Sequence, residues 1–175
     1  MAQELDQGKV VEAIRHATGD VFSTMLSMEV KSDAPYRQPC RPEPANGVIG
    51  LIGITGKWTG TGSVTCSGDL ARKISGQFLM AEYSAVDQDV LDAMGEITNM
   101  IIGNLKNALE ADAGPLNISI PMVVFGHNFL AGTSHSVDWV VVPFDCCGER
   151  LEVKACLSPQ PDQPARRRPI GIHGE

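Results

Sequence analysis

The stretch from about Asp87 to Ala111 constrains this chain more than any other. Stepping 100° per residue from Val90 places Met94, Ile97, Ile101, Leu105 and Ala108 within about 60° of one another on a helical projection. Leu91, Ile102 and Leu109 widen that stripe on one side. The opposite face carries Asp92, Glu96, Asn99, Gly103, Lys106, Asn107 and Glu110. The pattern predicts a long amphipathic helix with one buried stripe and one polar face.

The remaining segments sort by period. Leu5 to Met28 repeats apolar residues at three- and four-residue steps, with Val10, Val11, Ile14, Val21, Phe22 and Met25 on one predicted helical face. Residues 35–46 hold Pro35, Pro39, Pro42 and Pro44. Proline lacks the N–H that a regular helix or a central strand needs, so this region reads as an extended loop. Gly47–Thr55 is a β-branched strand, and Thr59–Ser67 alternates as its partner across a glycine-containing turn. Asp69–Met80 reads as a short helix with Leu70, Ile74, Phe78 and Leu79 inward. Asn117–Gly126 is a strand interrupted by Pro121, and Ser134–Phe144 with Glu149–Leu157 forms a hairpin around Asp145–Gly148.

Strands therefore arrive in consecutive pairs, not in alternation with helices. That favours an α+β fold, a mostly antiparallel sheet packed with the long helix, over a doubly wound one. A chain of 175 residues suits a single domain over 1–157. Residues 158–175 are Pro- and Gln-rich and are expected to form a disordered tail.

Composition excludes several function classes. The net charge of -7 argues against nucleic acid, because phosphate contacts need clustered Lys and Arg, and the one such cluster, Arg166–Arg167–Arg168, lies in the tail. No apolar run approaches the roughly 20 residues of a membrane span. The five cysteines are odd in number, contain no C-x-x-C and follow no secretory signal, which predicts free thiols in a reducing cytoplasm. His127 and His135 read as polar residues at strand ends, not metal ligands. Gly53–Trp58 lacks the spacing and the Ser/Thr of a P-loop, and Gly60-Thr61-Gly62 lacks the third glycine of a dinucleotide fingerprint.

Glu96 and Asn99 are three residues apart and so are neighbours on the polar face, with Gly103 one turn further. Glycine costs about 1 kcal/mol relative to alanine inside an exposed helix. Asparagine is also unfavourable there, because its amide competes for backbone groups. A partner's backbone approaching closely would account for the glycine, and an amide that must be aimed would account for the asparagine. By spacing alone, the alternative is that Glu96 and Asn99 are simply surface residues and that Gly103 relieves a local packing clash.

The segment from Asp92 to Lys106 resembles the signature helix of the CheX/CheC/FliY chemotaxis phosphatase family, approximately D-x-x-G-E-[IL]-x-N-M-I-x-G-x-x-K. The Gly-rich pair Gly50–Val64, and Ile118-Ser119-Ile120-Pro121 with Gly126, are similar to other strands of that family. The resemblance covers most of residues 5–157. A single E-x-x-N helix makes the chain resemble CheX, whereas CheC-type members carry two.

The resemblance implies a CheC-like fold and a phosphatase acting on the aspartyl phosphate of a CheY-type response regulator. It assigns Glu96 and Asn99 to catalysis, with Asn99 orienting water and Glu96 docking a receiver lysine. Asp92, Gly103, Lys106 and Asn107 are expected partner-binding positions. The chain is expected to bind no cofactor, the receiver holding its own Mg²⁺, and to be a cytoplasmic homodimer that touches neither nucleic acid nor membrane. The β-branched runs Val137–Val142 and Val48–Ile54 are the candidates for pairing across the two-fold axis. A non-catalytic adaptor that docks on a receiver would use the same helix face, whereas a structural dimer module would be favoured by an exposed sheet edge.

Overall fold

A computed structural model describes residues 5–131 and 137–160. The glycine- and Val/Ile-rich centre of the chain forms the middle of one antiparallel sheet. Strand β3 (Glu43–Gly56) pairs with β4 (Trp58–Cys66) along one side. Its other side pairs with β5 (Leu116–Ile118) and β6 (Met122–Ala131) in succession. Beyond β4 lie β8 (Glu149–Pro159) and β7 (Trp139–Cys146). The short β1 (Lys31–Ser32) and β2 (Tyr36–Gln38) edge β7. The β7–β8 turn is tighter than the expected Asp145–Gly148. It is the two residues Cys147 and Gly148, both at positive φ, a type I′ hairpin turn whose twist suits the flanking strands.

Alternation along each strand gives the sheet two faces. Val48, Ile52, Ile54, Val64, Leu151 and Val153 point into the main core, under helices α1 (Gln7–Val21), α2 (Gly68–Leu79) and α3 (Gln88–Ala113). Asp6, Ser67 and Asp87 cap these helices by accepting the backbone N–H of Gly8, Leu70 and Val90. No helix among the described residues is long and apolar enough to cross a membrane.

The long helix sits directly on the strands because two of its contacts are with glycine. A Cβ on Gly50 would lie 2.1 Å from Thr98 Oγ1 and 2.9 Å from Thr98 Cβ. A Cβ on Gly62 would lie 2.7 Å from Ile102 Cδ1. Any side chain at either position would push α3 off the sheet.

Several sequence expectations are corrected. The 35–46 region is not all loop: β2 begins at Tyr36 and β3 at Glu43. Pro44 is tolerated in the strand because β3 pairs there with β6 alone, so the missing N–H falls on an edge. Ala108 is exposed, while Leu109 and Ala113 are buried. The buried stripe follows the i, i+4 ridge from Met94 through Thr98 and Ile102 and drifts around the helix as α3 crosses the sheet. Met25 is exposed and Leu26 buried, because a π-helical turn at Phe22–Leu26 inserts one residue and rotates the face. Leu79, expected inward, is 41% exposed at the end of α2. Neither β-branched run offered for dimer pairing has a free edge: β3 is paired on both sides from Val48 to Leu51 and at Ile54, and β7 lies between β8 and the β1–β2 edge. The tail beyond residue 160, its arginines and His135 lie outside the described residues.

Candidate active site on the outer face of the long helix

The polar face of α3 survives folding as an open surface, but its members divide. Gln88 Nε2 donates to Asp92 Oδ1 at 2.7 Å. Lys106 Nζ is half-buried and pairs with Glu110 Oε1 at 2.8 Å, and the same oxygen accepts the Leu116 N–H that starts β5. The Lys106 ammonium first, and then that N–H, hold the Glu110 carboxyl below its ordinary range. Lys106 and Glu110 therefore fasten a strand to the helix end, which is a sufficient reason for a lysine there.

Glu96 and Asn99 are different. Neither side chain makes a hydrogen bond or ion pair within the described residues, Glu96 is exposed and Asn99 is half-buried. Asn107 is also exposed and unpaired, but it lies two turns beyond Asn99, about 12 Å along the axis.

A ridge beside the helix explains why Asn99 is half-covered. Between β5 and β6 the ladder is broken at Pro121. Ser119 bridges the gap, donating its N–H to the Gly53 carbonyl and accepting the Gly53 N–H on Oγ, each at 2.9 Å. This pinned segment runs along α3, with Ile118 Cδ1 3.8 Å from a Cβ built on Gly103. At the other end, Pro121 Cγ and Val123 Cγ2 lie 3.7 Å and 3.4 Å from one built on Gly95. Asn99 lies one turn from each glycine and faces the middle of the ridge. At the top of the ridge Ile120 is 88% exposed and Met122 64% exposed. On the far side, Phe78, Leu79 and Tyr83 form the other bank of a groove floored by Asp92, Gly95 and Glu96.

Gly103 is thus not relieving a clash, since an added methyl group would meet only ordinary van der Waals contact. Gly103→Ala should leave thermal stability unchanged or raise it by about 1 kcal/mol. If the glycine serves a partner's approach, the same substitution weakens that partner's affinity. Unchanged affinity in a binding titration would leave Gly103 without a role.

The sequence reading did not find the ridge or the groove. Its one signal was Pro121, which a sheet interior cannot hold, flanked by the large apolar Ile120 and Met122. The cysteines are no part of this site. Burial pushes the Cys66 and Cys146 thiols up to about 12, so neither is a nucleophile near neutral pH.

An α+β sheet carrying a long helix, with a free carboxylate and a free carboxamide one turn apart on its exposed face, defines the class. A family model described as chemotaxis phosphatase CheX matches residues 48–145, the span from β3 to β7 that contains this helix. The chain belongs to the CheX family. It is 28% identical over 121 residues to the CheY-P phosphatase CheX of Thermotoga maritima, covering 69% of this chain and 77% of that protein. The crystal structure of a chemotaxis protein CheX from Desulfovibrio desulfuricans superposes with a TM-score of 0.78 at 27% identity, over 86% of this chain and 99% of that one. A CheC-like superfamily protein from Shewanella sp. PV-4 gives 0.76 at 25% identity, over 89% and 99%.

Proposed function

We propose that this chain is a phosphatase that accelerates hydrolysis of the aspartyl phosphate on a CheY-type response regulator. The T. maritima relative is a CheY-P phosphatase. The observation that carries the reading to this chain is the freedom of Glu96 and Asn99 on a face whose neighbours Asp92, Lys106 and Glu110 are already engaged. In the reaction, water oxygen attacks phosphorus, the bond from phosphorus to the aspartyl oxygen breaks, and inorganic phosphate leaves a free carboxylate. Such transfers are catalysed chiefly by positioning and electrostatics. The Asn99 amide accepts and donates at once, so it can hold a water in line with the leaving oxygen. Glu96 receives a lysine of the receiver, and the acidic start of α3, with Asp87, Asp89 and Asp92, reinforces that attraction. Mg²⁺ belongs in this reading to the receiver. Ile120 and Met122 supply apolar contact beside the polar pair.

The expected separation of roles is measurable with a receiver carrying a non-hydrolysable phosphoryl mimic. Glu96→Ala and Ile120→Ser should each weaken the complex by about tenfold, roughly 1.4 kcal/mol. Asn99→Ala should weaken it less. Equal affinity for all variants would mean that the receiver docks elsewhere. A homodimer remains part of the proposal, and among the described residues the sheet edges are β5, β6 and the short β1–β2 pair.

A further inference from the structure

The other face of the sheet carries a second polar site. Parity along the strands points Ile49 and Leu51 of β3, Ser63 and Thr65 of β4, Glu152 and Lys154 of β8 and Trp139 of β7 away from the helices. This face is not left bare. Trp139, Val141 and Cys156 form a small separate core there, with Cys40 and Val137 packed on it. Between β2, the segment leading into β3 and the outer sheet face lies a concavity of about 350 Å³. That is within the range of small-molecule sites, at its small end.

Its walls contain polar atoms that the fold leaves without partners. Ser63 is 0% exposed, and its Oγ has no hydrogen-bond partner. Thr65 Oγ1 and Gln38 Oε1 are likewise buried and unmatched. The Gln38 assignment follows from its other end: Nε2 donates to Glu43 Oε2, so the atom left over is the carbonyl oxygen, an acceptor. Buried groups of this kind are ordinarily satisfied, and several in one concavity point to an occupant.

The charges in the walls are also sorted. Glu43 is held by Gln38 and Arg41, and Glu152 by Tyr36 and Arg150. Lys154 has no carboxylate partner among the described residues. Its Nζ lies 4.9 Å from the centroid of the Trp139 ring, a cation–π contact that fixes the ammonium at the wall. The site therefore offers one uncommitted positive charge, two hydroxyls that can donate or accept, and one carbonyl that needs a donor.

We infer that this concavity binds a small organic carboxylate that also carries a hydrogen-bond donor, a hydroxy acid or an amino acid. The carboxylate pairs with Lys154, and the hydroxyl or amino group reaches Ser63, Thr65 and the Gln38 carbonyl. The site is independent of the phosphatase reading, since the sheet separates it from Glu96 and Asn99.

The test is a titration of the full chain, followed by amide and indole NMR shifts, with L-lactate, glycerate, L-serine and L-threonine up to about 10 mM, well above a millimolar dissociation constant. At least one of these should saturate, moving the Trp139 indole and the amides of Ser63, Thr65 and Lys154. Its methyl ester should bind at least about tenfold more weakly, as should the intact ligand to Lys154→Met or Ser63→Ala. Both variants keep side-chain shape, and an unchanged circular dichroism spectrum would show that they fold. No saturable shift with any of the four overturns the proposal and leaves ordered water only. Equal affinity for the ester or for both variants also overturns it. A dimer in sedimentation that Lys154→Met dissociates overturns it in favour of a second copy filling the concavity.

Discussion

Asn99→Ala should reduce phosphate release from a phosphorylated receiver by about 100-fold or more, towards the rate at which the receiver loses phosphate alone. That is a loss of about 2.7 kcal/mol of transition-state stabilisation. The expectation rests on what the side chain is asked to do. An amide that orients the attacking water acts on the barrier and contributes little to the docked ground state. Displacing a reacting group by about 1 Å is enough for a loss of that size. The protein supplies the positioning: Asn99 stands on helix backbone, midway between the two glycines at which the Ile118–Val123 ridge approaches α3. Its amide has no partner among the described residues to draw it away. The loss should therefore appear in the maximal rate at saturating receiver, with affinity for the mimic-loaded receiver nearly preserved. Release at the unsubstituted rate would exclude Asn99 from the chemistry. An adaptor would show no accelerated release in either form, so the same assay separates the two functions.

The second large effect lies in the core. Gly50→Ala should destabilise the chain by about 3 kcal/mol in chemical denaturation, as overpacking a close contact does. The new methyl group would fall 2.1 Å from Thr98 Oγ1 and 2.9 Å from both Thr98 Cβ and Cγ2. Thr98 cannot turn aside: it is β-branched, fully buried, and its Oγ1 donates to the Met94 carbonyl at 2.7 Å. The helix itself must lift. Because Thr98 adjoins Asn99, phosphatase activity should fall along with stability, even at temperatures where the variant is folded. Thr98→Ala removes Oγ1 and Cγ2, and so should restore part of the loss in the double variant. A clear positive coupling energy in that cycle is the expected signature. Gly53→Ala, whose added methyl group would sit 3.5 Å from Ser119 Oγ on the outer face, is the control and should change little. If both glycines tolerate alanine equally, the close seating of α3 is not what fixes the site.

Most of the element order was readable from the residues. Period and punctuation located α1, α2, α3, both halves of each hairpin and the break at Pro121 within a few positions. The failures are specific. The strand start at Glu43 was hidden by Pro44, since a proline rule cannot see that the strand is an edge at that point. Met25 and Leu26 exchanged roles through a π-helical turn that no local preference marked. Ala108 was placed in the stripe by an ideal projection, whereas the real contact line drifts as the helix crosses a twisted sheet. The runs expected at a dimer axis lie inside the sheet, because β-branched residues mark strands without saying whether those strands lie at an edge.

The site divides the same way. That Glu96, Asn99 and Gly103 share one face opposite an apolar stripe follows from the sequence alone, because helical geometry is local and repeats every few residues. Which polar residues on that face are free was decided partly within the helix, by the i, i+4 pairs Gln88–Asp92 and Lys106–Glu110, and partly by tertiary structure, through the Leu116 N–H that joins Glu110. Asp92, Lys106 and Asn107 project to the same side as Glu96. Lys106 is nevertheless spent on Glu110 and the start of β5, and Asp92 on Gln88. The ridge that half-covers Asn99 comes from residues about twenty positions further along, pinned by Ser119 to Gly53 on β3. Contacts between such distant positions carry no periodic mark in the chain. They exist because two glycines let the helix sit directly on the strands, which brings the interrupted strand alongside it.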